Sequence, residues 1–158
     1  MLYQPEIPPN TGNIIRLCAN TGAGLHLVGP LGFELDEPRL KRAGLDYQEC
    51  ARVTVHESLP DCLQSLAGHR VYAFSSRAAI PYTEADYEDD CALLFGPETR
   101  GLPADVLESV PVERRLTLPM LPGNRSLNLS NAVAVAVYEA WRRRGFRGAV
   151  SRPRKTPT

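Results

Sequence analysis

The sequence predicts an α/β protein built on a mostly parallel sheet flanked by helices. Three observations carry that expectation. Short apolar segments recur along the chain, amphipathic helical stretches stand between them, and 158 residues, 43% of them hydrophobic, suit one compact domain rather than two. Strands separated by helices pair in parallel, because a crossover long enough to hold a helix returns the chain to the same end of the sheet.

The elements follow in order. Met1-Leu2-Tyr3 is a short strand, and Pro8-Pro9 stop it. Asn10 or Thr11 then has the side chain to cap a helix whose apolar face is Ile14, Leu17 and Cys18. Leu25–Val28 and Val53–Val55 read as the next strands. Ser58 and Asp61 form a capping pattern in front of a helix with Leu59, Leu63 and Leu66 on one face. Val71–Phe74, Ala92–Phe95 and Leu116–Leu118 complete the strands, and Pro103 opens a helix between the last two. The run Ala132–Val137 alternates with period two and has strand propensity, yet it reads as helix. Leu129, Val133, Val137, Ala140 and Trp141 keep one face apolar for about four turns, Asn128 or Ser130 caps its start, and Gly145 ends it. The domain spans residues 1–148, and 149–158 form a basic tail.

Composition excludes several classes. No apolar run approaches the roughly 20 residues that cross a bilayer, and the N-terminus lacks a basic-then-apolar signal, so a cytoplasmic protein with no membrane partner is expected. Cys18, Cys50, Cys62 and Cys91 are widely spaced, with no C-x-x-C pair and no His at ligand spacing. They read as reduced, mostly buried thiols, and no metal site is expected. Net charge is zero, which by itself speaks against a nucleic-acid partner. The charge is nevertheless segregated. Arg142, Arg143, Arg144, Arg147, Arg152, Arg154 and Lys155 are seven of the 18 basic residues and lie in a stretch without acids, leaving 11 basic against 18 acidic groups in residues 1–141.

Three segments combine Gly, Pro, Asn and Ser with single charges near the ends of expected strands, where open α/β sheets build ligand sites. The first is Pro8-Pro9-Asn10-Thr11-Gly12-Asn13-Ile14-Ile15-Arg16. The second is Phe95-Gly96-Pro97-Glu98-Thr99-Arg100-Gly101, whose glycines let a ligand approach the backbone. The third is Leu118-Pro119-Met120 followed by Asn124-Arg125-Ser126-Leu127-Asn128-Leu129-Ser130-Asn131. Capping and turn formation explain one residue in each segment and leave the others unassigned.

Together, in this order and spacing, the three segments closely resemble the motifs of the SPOUT RNA methyltransferases. Because the whole chain is covered and no RNA-binding domain is added, the nearest resemblance is to the YibK-type tRNA 2′-O-methyltransferases of the wobble nucleotide. The resemblance implies a deep C-terminal trefoil knot, a homodimer, and S-adenosylmethionine as methyl donor, leaving S-adenosylhomocysteine, without a metal. Its cofactor contacts would come from Phe74, Ser75, Gly96, Glu98, Gly101, Leu118, Met120, Ser126 and Asn131. Arg16, Asn10, Glu98 and Asn131 would serve catalysis, and Arg16, Arg125 and Arg142 would hold tRNA. A guanidinium keeps its proton too strongly to act as a base, so Arg16 is expected to anchor phosphate or ribose through its planar fork.

Two departures stand out. The family's first strand has several more apolar residues than Met1-Leu2-Tyr3, which implies a late start or a shortened edge of the fold. Phe74-Ser75-Ser76-Arg77 stands where relatives carry Thr-Thr-Lys, keeping hydroxyls and one positive charge. Two other functional classes share parts of this pattern. A nucleotide enzyme on an ordinary doubly wound sheet would use Gly22-Ala23-Gly24, but that pair precedes a strand, whereas the dinucleotide fingerprint follows one. The other is an RNA-binding knot dimer without turnover. Within the methyltransferase reading, another tRNA or rRNA nucleotide is the alternative target.

Overall fold

The computed structural model describes residues 1–50 and 52–150. Seven strands form one sheet: β1 (Leu2–Tyr3), β2 (Leu25–Val28), β3 (Val53–His56), β4 (Arg70–Phe74), β5 (Ile80–Pro81), β6 (Cys91–Phe95) and β7 (Arg115–Thr117). Their order is β3-β2-β1-β6-β4-β7-β5, with every pairing parallel. The helices are α1 (Pro8–Thr21), α2 (Glu37–Arg42), α3 (Tyr47–Cys50), α4 (Leu59–Ser65), α5 (Ala104–Ser109) and α6 (Leu129–Arg143). The expected α/β class and parallel sheet are therefore present. None of the described helices is long and apolar enough to cross a membrane.

Strand alternation distributes the apolar side chains to two layers, one on each face of the sheet. Leu2, Leu27, Tyr72, Phe74, Phe95 and Leu116 pack with Ile14, Ile15 and Cys18 of α1 and Leu129, Val133, Ala136 and Ala140 of α6. Their neighbours in sequence, Met1, Val28, Ala73 and Leu94, point the other way and meet Cys62 of α4 with Val106 and Leu107 of α5. A strand covered on both faces has no solvent side, which is why β4 and β6 read as nearly continuous apolar runs.

Several expectations change. The two-residue β1 is not at an edge but between β2 and β6, at the centre of the sheet. It holds there because both flanks pair with it, and because the buried Met1 ammonium donates to the Leu93 carbonyl at 2.7 Å. The helix α1 starts at Pro8 with Ile7 as its N-cap residue and no local side-chain cap, so Asn10 and Thr11 fall inside its first turn. Strand β5 and helices α2 and α3 were not expected, being short elements with weak periodicity. Asp36, whose carboxylate accepts from the Arg39 amide at 2.8 Å, was the legible start signal for α2. Helix α6 forms as expected, and Asn128 caps it by accepting from the Ser130 and Asn131 amides. Gly145, at φ 68°, lies just past its end. All four cysteines are free, but only Cys18 and Cys62 are buried, with Cys50 and Cys91 half-buried. The basic tail from residue 151 lies outside the described residues.

Candidate active site

The C-terminal ends of neighbouring parallel strands carry the three motif segments to one place. Strands β1 and β6 pair directly, with Leu2 opposite Phe95, so the loops leaving them, residues 4–7 and 96–103, emerge side by side. Strands β4 and β7 pair next to them. A cleft of about 680 Å³ opens above these ends, within the usual range for a small-molecule site.

The wall nearest α1 is built by reciprocal carboxylate contacts. The Glu98 carboxylate accepts from the Glu6 amide at 2.8 Å, the Ile7 amide at 3.1 Å and the Asn10 side-chain amide at 3.3 Å. It thus supplies, from a loop 91 residues away, the negative cap that α1 lacks locally. In return, the Glu6 carboxylate accepts from the Thr99 hydroxyl at 2.8 Å and the Thr99 amide at 3.2 Å. Asn10, 4% exposed, accepts through its side-chain oxygen from the Asn128 side-chain amide at 2.9 Å. Asn128 caps α6, so one chain of hydrogen bonds, Glu98–Asn10–Asn128–Ser130, runs through all three motif segments.

The floor is apolar. Phe74 and Phe95 stack with centroids 4.6 Å apart and planes 15° from parallel. The Ser75 amide donates to the Leu116 carbonyl at 2.9 Å, extending the β4–β7 pairing into the cleft. Arg77 donates to the Leu102 carbonyl, tying the loop after β4 to the start of the α5 segment. Gly96 has a specific steric role, because a Cβ there would lie 2.1 Å from the Leu102 nitrogen and 2.2 Å from the Gly101 carbonyl carbon. The loop closes on its own backbone, so the constraint at Gly96 is internal rather than an approach by ligand. Gly101, at φ 67°, turns that loop in the left-handed region.

Of the residues singled out for cofactor, Phe74, Ser75, Gly96, Glu98, Gly101, Leu118, Met120 and Ser126 line this cleft, together with Asn10 and Arg125. Asn131 does not; it lies exposed in the first turn of α6. Arg16 does not either. It borders a second groove of about 410 Å³ with Pro8, Asn13, Phe33, Arg39 and Leu45. Arg142 donates from two of its three guanidinium nitrogens, Nε and Nη2, to the buried Glu139 carboxylate at 2.8 and 2.9 Å, and lines neither groove. That pairing holds the Glu139 carboxyl below its ordinary range. Arg144 and Arg147 both meet Asp89, so among the described residues two carboxylates offset part of the segregated positive charge.

Sequence reasoning treated Asn128 only as a cap and gave Glu6 no role; the separations of their partners, 118 and 93 residues, leave no local signal. It also missed the juxtaposition of His26, His56 and Cys62 on β2, β3 and α4, away from the cleft. The His26 Nδ1 and His56 Nε2 atoms lie 2.8 Å apart in a hydrogen bond. Two ligands of one tetrahedral zinc ion stand about 3.3 Å apart at the usual bond lengths, so this pair satisfies itself without an ion.

The chain is similar to several known proteins. A tRNA (cytidine(34)-2'-O)-methyltransferase of Methylovorus glucosotrophus (strain SIP3-4) is 55% identical over 150 residues, covering 95% of this chain and 97% of that one. A solved structure described as giving insight into 2-OH methylation of C/U34 on tRNA superposes with a TM-score of 0.82 at 50% identity, covering 91% of this chain and 88% of its own. An AdoMet-bound rRNA methyltransferase of Sinorhizobium meliloti gives 0.77 at 28% identity, covering 89% of this chain and 54% of that larger one. Residues 1–138 match the SpoU rRNA Methylase family, and with the parallel sheet and the three joined motif loops already in place, the chain belongs to that family.

Proposed function

We propose that this protein transfers the methyl group of S-adenosylmethionine to the ribose 2′-hydroxyl of the wobble nucleotide, position 34, of tRNA, acting as a cytoplasmic homodimer. The observation that carries the reading is the convergence of all three motif segments on one cleft in a chain that matches wobble-nucleotide methyltransferases over nearly its full length. The cleft fits the cofactor chemically. Phe74, Leu118 and Leu129 offer apolar surface, and Ser75, Ser126 and the backbone of residues 96–101 offer the few polar groups that orient a ligand. The knotted path of the C-terminal segment belongs to the same reading.

Bound S-adenosylmethionine supplies an electrophilic methyl. Transfer would join the 2′-oxygen to that carbon as the carbon–sulfur bond breaks, leaving S-adenosylhomocysteine, and the hydroxyl proton would pass to solvent water. Alignment of the oxygen behind the methyl is the protein's main task. Glu98 has both carboxylate oxygens occupied by N–H donors, which suits it to fixing the loops rather than to taking the proton. Arg125, at the cleft, is placed to hold the RNA backbone. Arg16, which borders the other groove, is assigned to holding RNA there, and a second copy of the chain to the remaining contacts with RNA. On this reading Asn131 serves from the α6 start and Arg142 through the RNA-facing end of that helix.

The test is transfer of labelled methyl from S-adenosylmethionine to a tRNA anticodon stem-loop, followed by mass-spectrometric mapping. Methylation on the ribose of nucleotide 34, lost with a 2′-deoxy residue there and unaffected by EDTA, is the expected result. Methylation of a different nucleotide or of a ribosomal RNA fragment instead would replace the wobble assignment.

A further inference from the structure

We infer that Glu49 is a positioning residue for Arg16, selecting which edge of its guanidinium is presented to RNA; the inference rests on the function proposed above. Arg16 stands on the third turn of α1 with its side chain 52% exposed, and a free arginine there would sample many rotamers. It is instead held at two points. Its Nε donates to Glu49 Oε1 at 3.0 Å, and its Nη2 donates to the Gly44 carbonyl. Gly44 presents that carbonyl from a left-handed turn, at φ 76°, where a side chain would be strained.

Glu49 is itself immobilised. Its other oxygen, Oε2, accepts from the Asp46 amide at 2.8 Å, while its own amide donates to Asp46 Oδ1 at 2.8 Å. This reciprocal pair is a capping box at the start of α3, and its carboxylate does two jobs at once. The Asp46 amide, followed by Arg16, holds the Glu49 carboxyl below its ordinary range, so the clamp stays charged.

The clamp consumes the Nε–Nη2 edge of Arg16. The Nη1 donors and the second Nη2 hydrogen remain, pointing away from Glu49 as one outward edge, still able to take two oxygens of a phosphate or a ribose. Exposed ion pairs contribute little to stability, so the consequence of this geometry is orientation.

The test is a double-mutant cycle with the full-length protein, the anticodon stem-loop and S-adenosylmethionine. Arg16→Ala is expected to lower kcat by about 30- to 1,000-fold, in line with loss of one preorganised donor. Glu49→Ala is expected to lower kcat by about tenfold, with cofactor affinity by calorimetry unchanged and only a small drop in the unfolding temperature from loss of the α3 capping box. Glu49→Gln keeps one acceptor oxygen, enough for either Arg16 Nε or the Asp46 amide but not both, and should recover part of that loss. The double variant should be no slower than Arg16→Ala alone, since a clamp has no function without the arginine it holds. Additive losses, or a Glu49→Ala variant that turns over at the wild-type rate beside a crippled Arg16→Ala, would overturn the assignment of Glu49 alone. A fully active Arg16→Ala variant would instead remove the role of Arg16, and this inference with it.

Discussion

Single side chains in this fold act mainly by joining segments that are distant in sequence. Glu98 is the clearest case, since one carboxylate caps α1 and holds Asn10. Glu98→Ala leaves the Glu6 and Ile7 amides without their acceptor and is expected to cost about 1–3 kcal/mol in urea unfolding, with Glu98→Gln milder. Equal stability of wild type and Glu98→Ala would show that water replaces the cap. Gly96→Ala brings a methyl into the Leu102 nitrogen and is expected to weaken both the fold and S-adenosylmethionine binding, which calorimetry beside thermal unfolding resolves. His26 gives a pH dependence. Burial first, then the Met1 ammonium and His56, push its imidazole from 6.5 down to about 4. The folded state therefore keeps it neutral while the unfolded chain takes up a proton. Stability is complete above about pH 6.5 and falls as pH drops from there toward 4. Urea midpoints measured across that window should decline, and His26→Gln should flatten the decline.

At the scale of elements, α1 and α6 carry the site because both begin at the cleft and both share the core on one face of the sheet. Each starts with a polar contact to the other, through Asn10 and Asn128. Asn128→Ala removes the α6 cap and this link together and is expected to destabilise the protein by about 1–2 kcal/mol in chemical denaturation. Asn128→Asp separates the two effects. It keeps an acceptor for the Ser130 amide but offers the Asn10 oxygen no donor, so it should recover the cap and not the coupling to α1. An Asn128→Asp variant as stable and active as wild type would show that the α1–α6 link carries no weight.

For the whole molecule, the distribution of residues between two surfaces matters most. The residues expected to hold cofactor, Asn131 apart, line one cleft, whereas Arg16 borders another, and the outward face of α6 exposes Val135 and Tyr138, at 41% and 46%. A homodimer that covers this face is expected, with sedimentation giving twice the chain mass. Val135→Glu should shift the equilibrium toward monomer and reduce methyl transfer in parallel. A monomeric variant that methylates at the full rate would show that one chain holds the complete site.

Most of the element order was legible in the sequence alone, because apolar periodicity, proline stops and caps such as Ser58 and Asn128 act within a few residues; the short β5, α2 and α3 lacked such signals or had weak ones. The three motif segments were legible too, as polar clusters that no capping rule accounts for. The short apolar runs of β4 and β6 identified strands but not neighbours, so the place of β1 inside the sheet appeared only when β2 and β6 closed on it. The partners of Glu98, Asn10 and Asn128 stand 88 to 118 residues apart, and a hydrogen bond across such a distance exists only once the sheet has brought the strand ends together. The same holds for Arg16 and Glu49, 33 residues apart on two helices that meet through tertiary packing. The sequence by itself determined which chemistry is present; the parallel sheet, by setting which strand ends are adjacent, decided which of those groups meet.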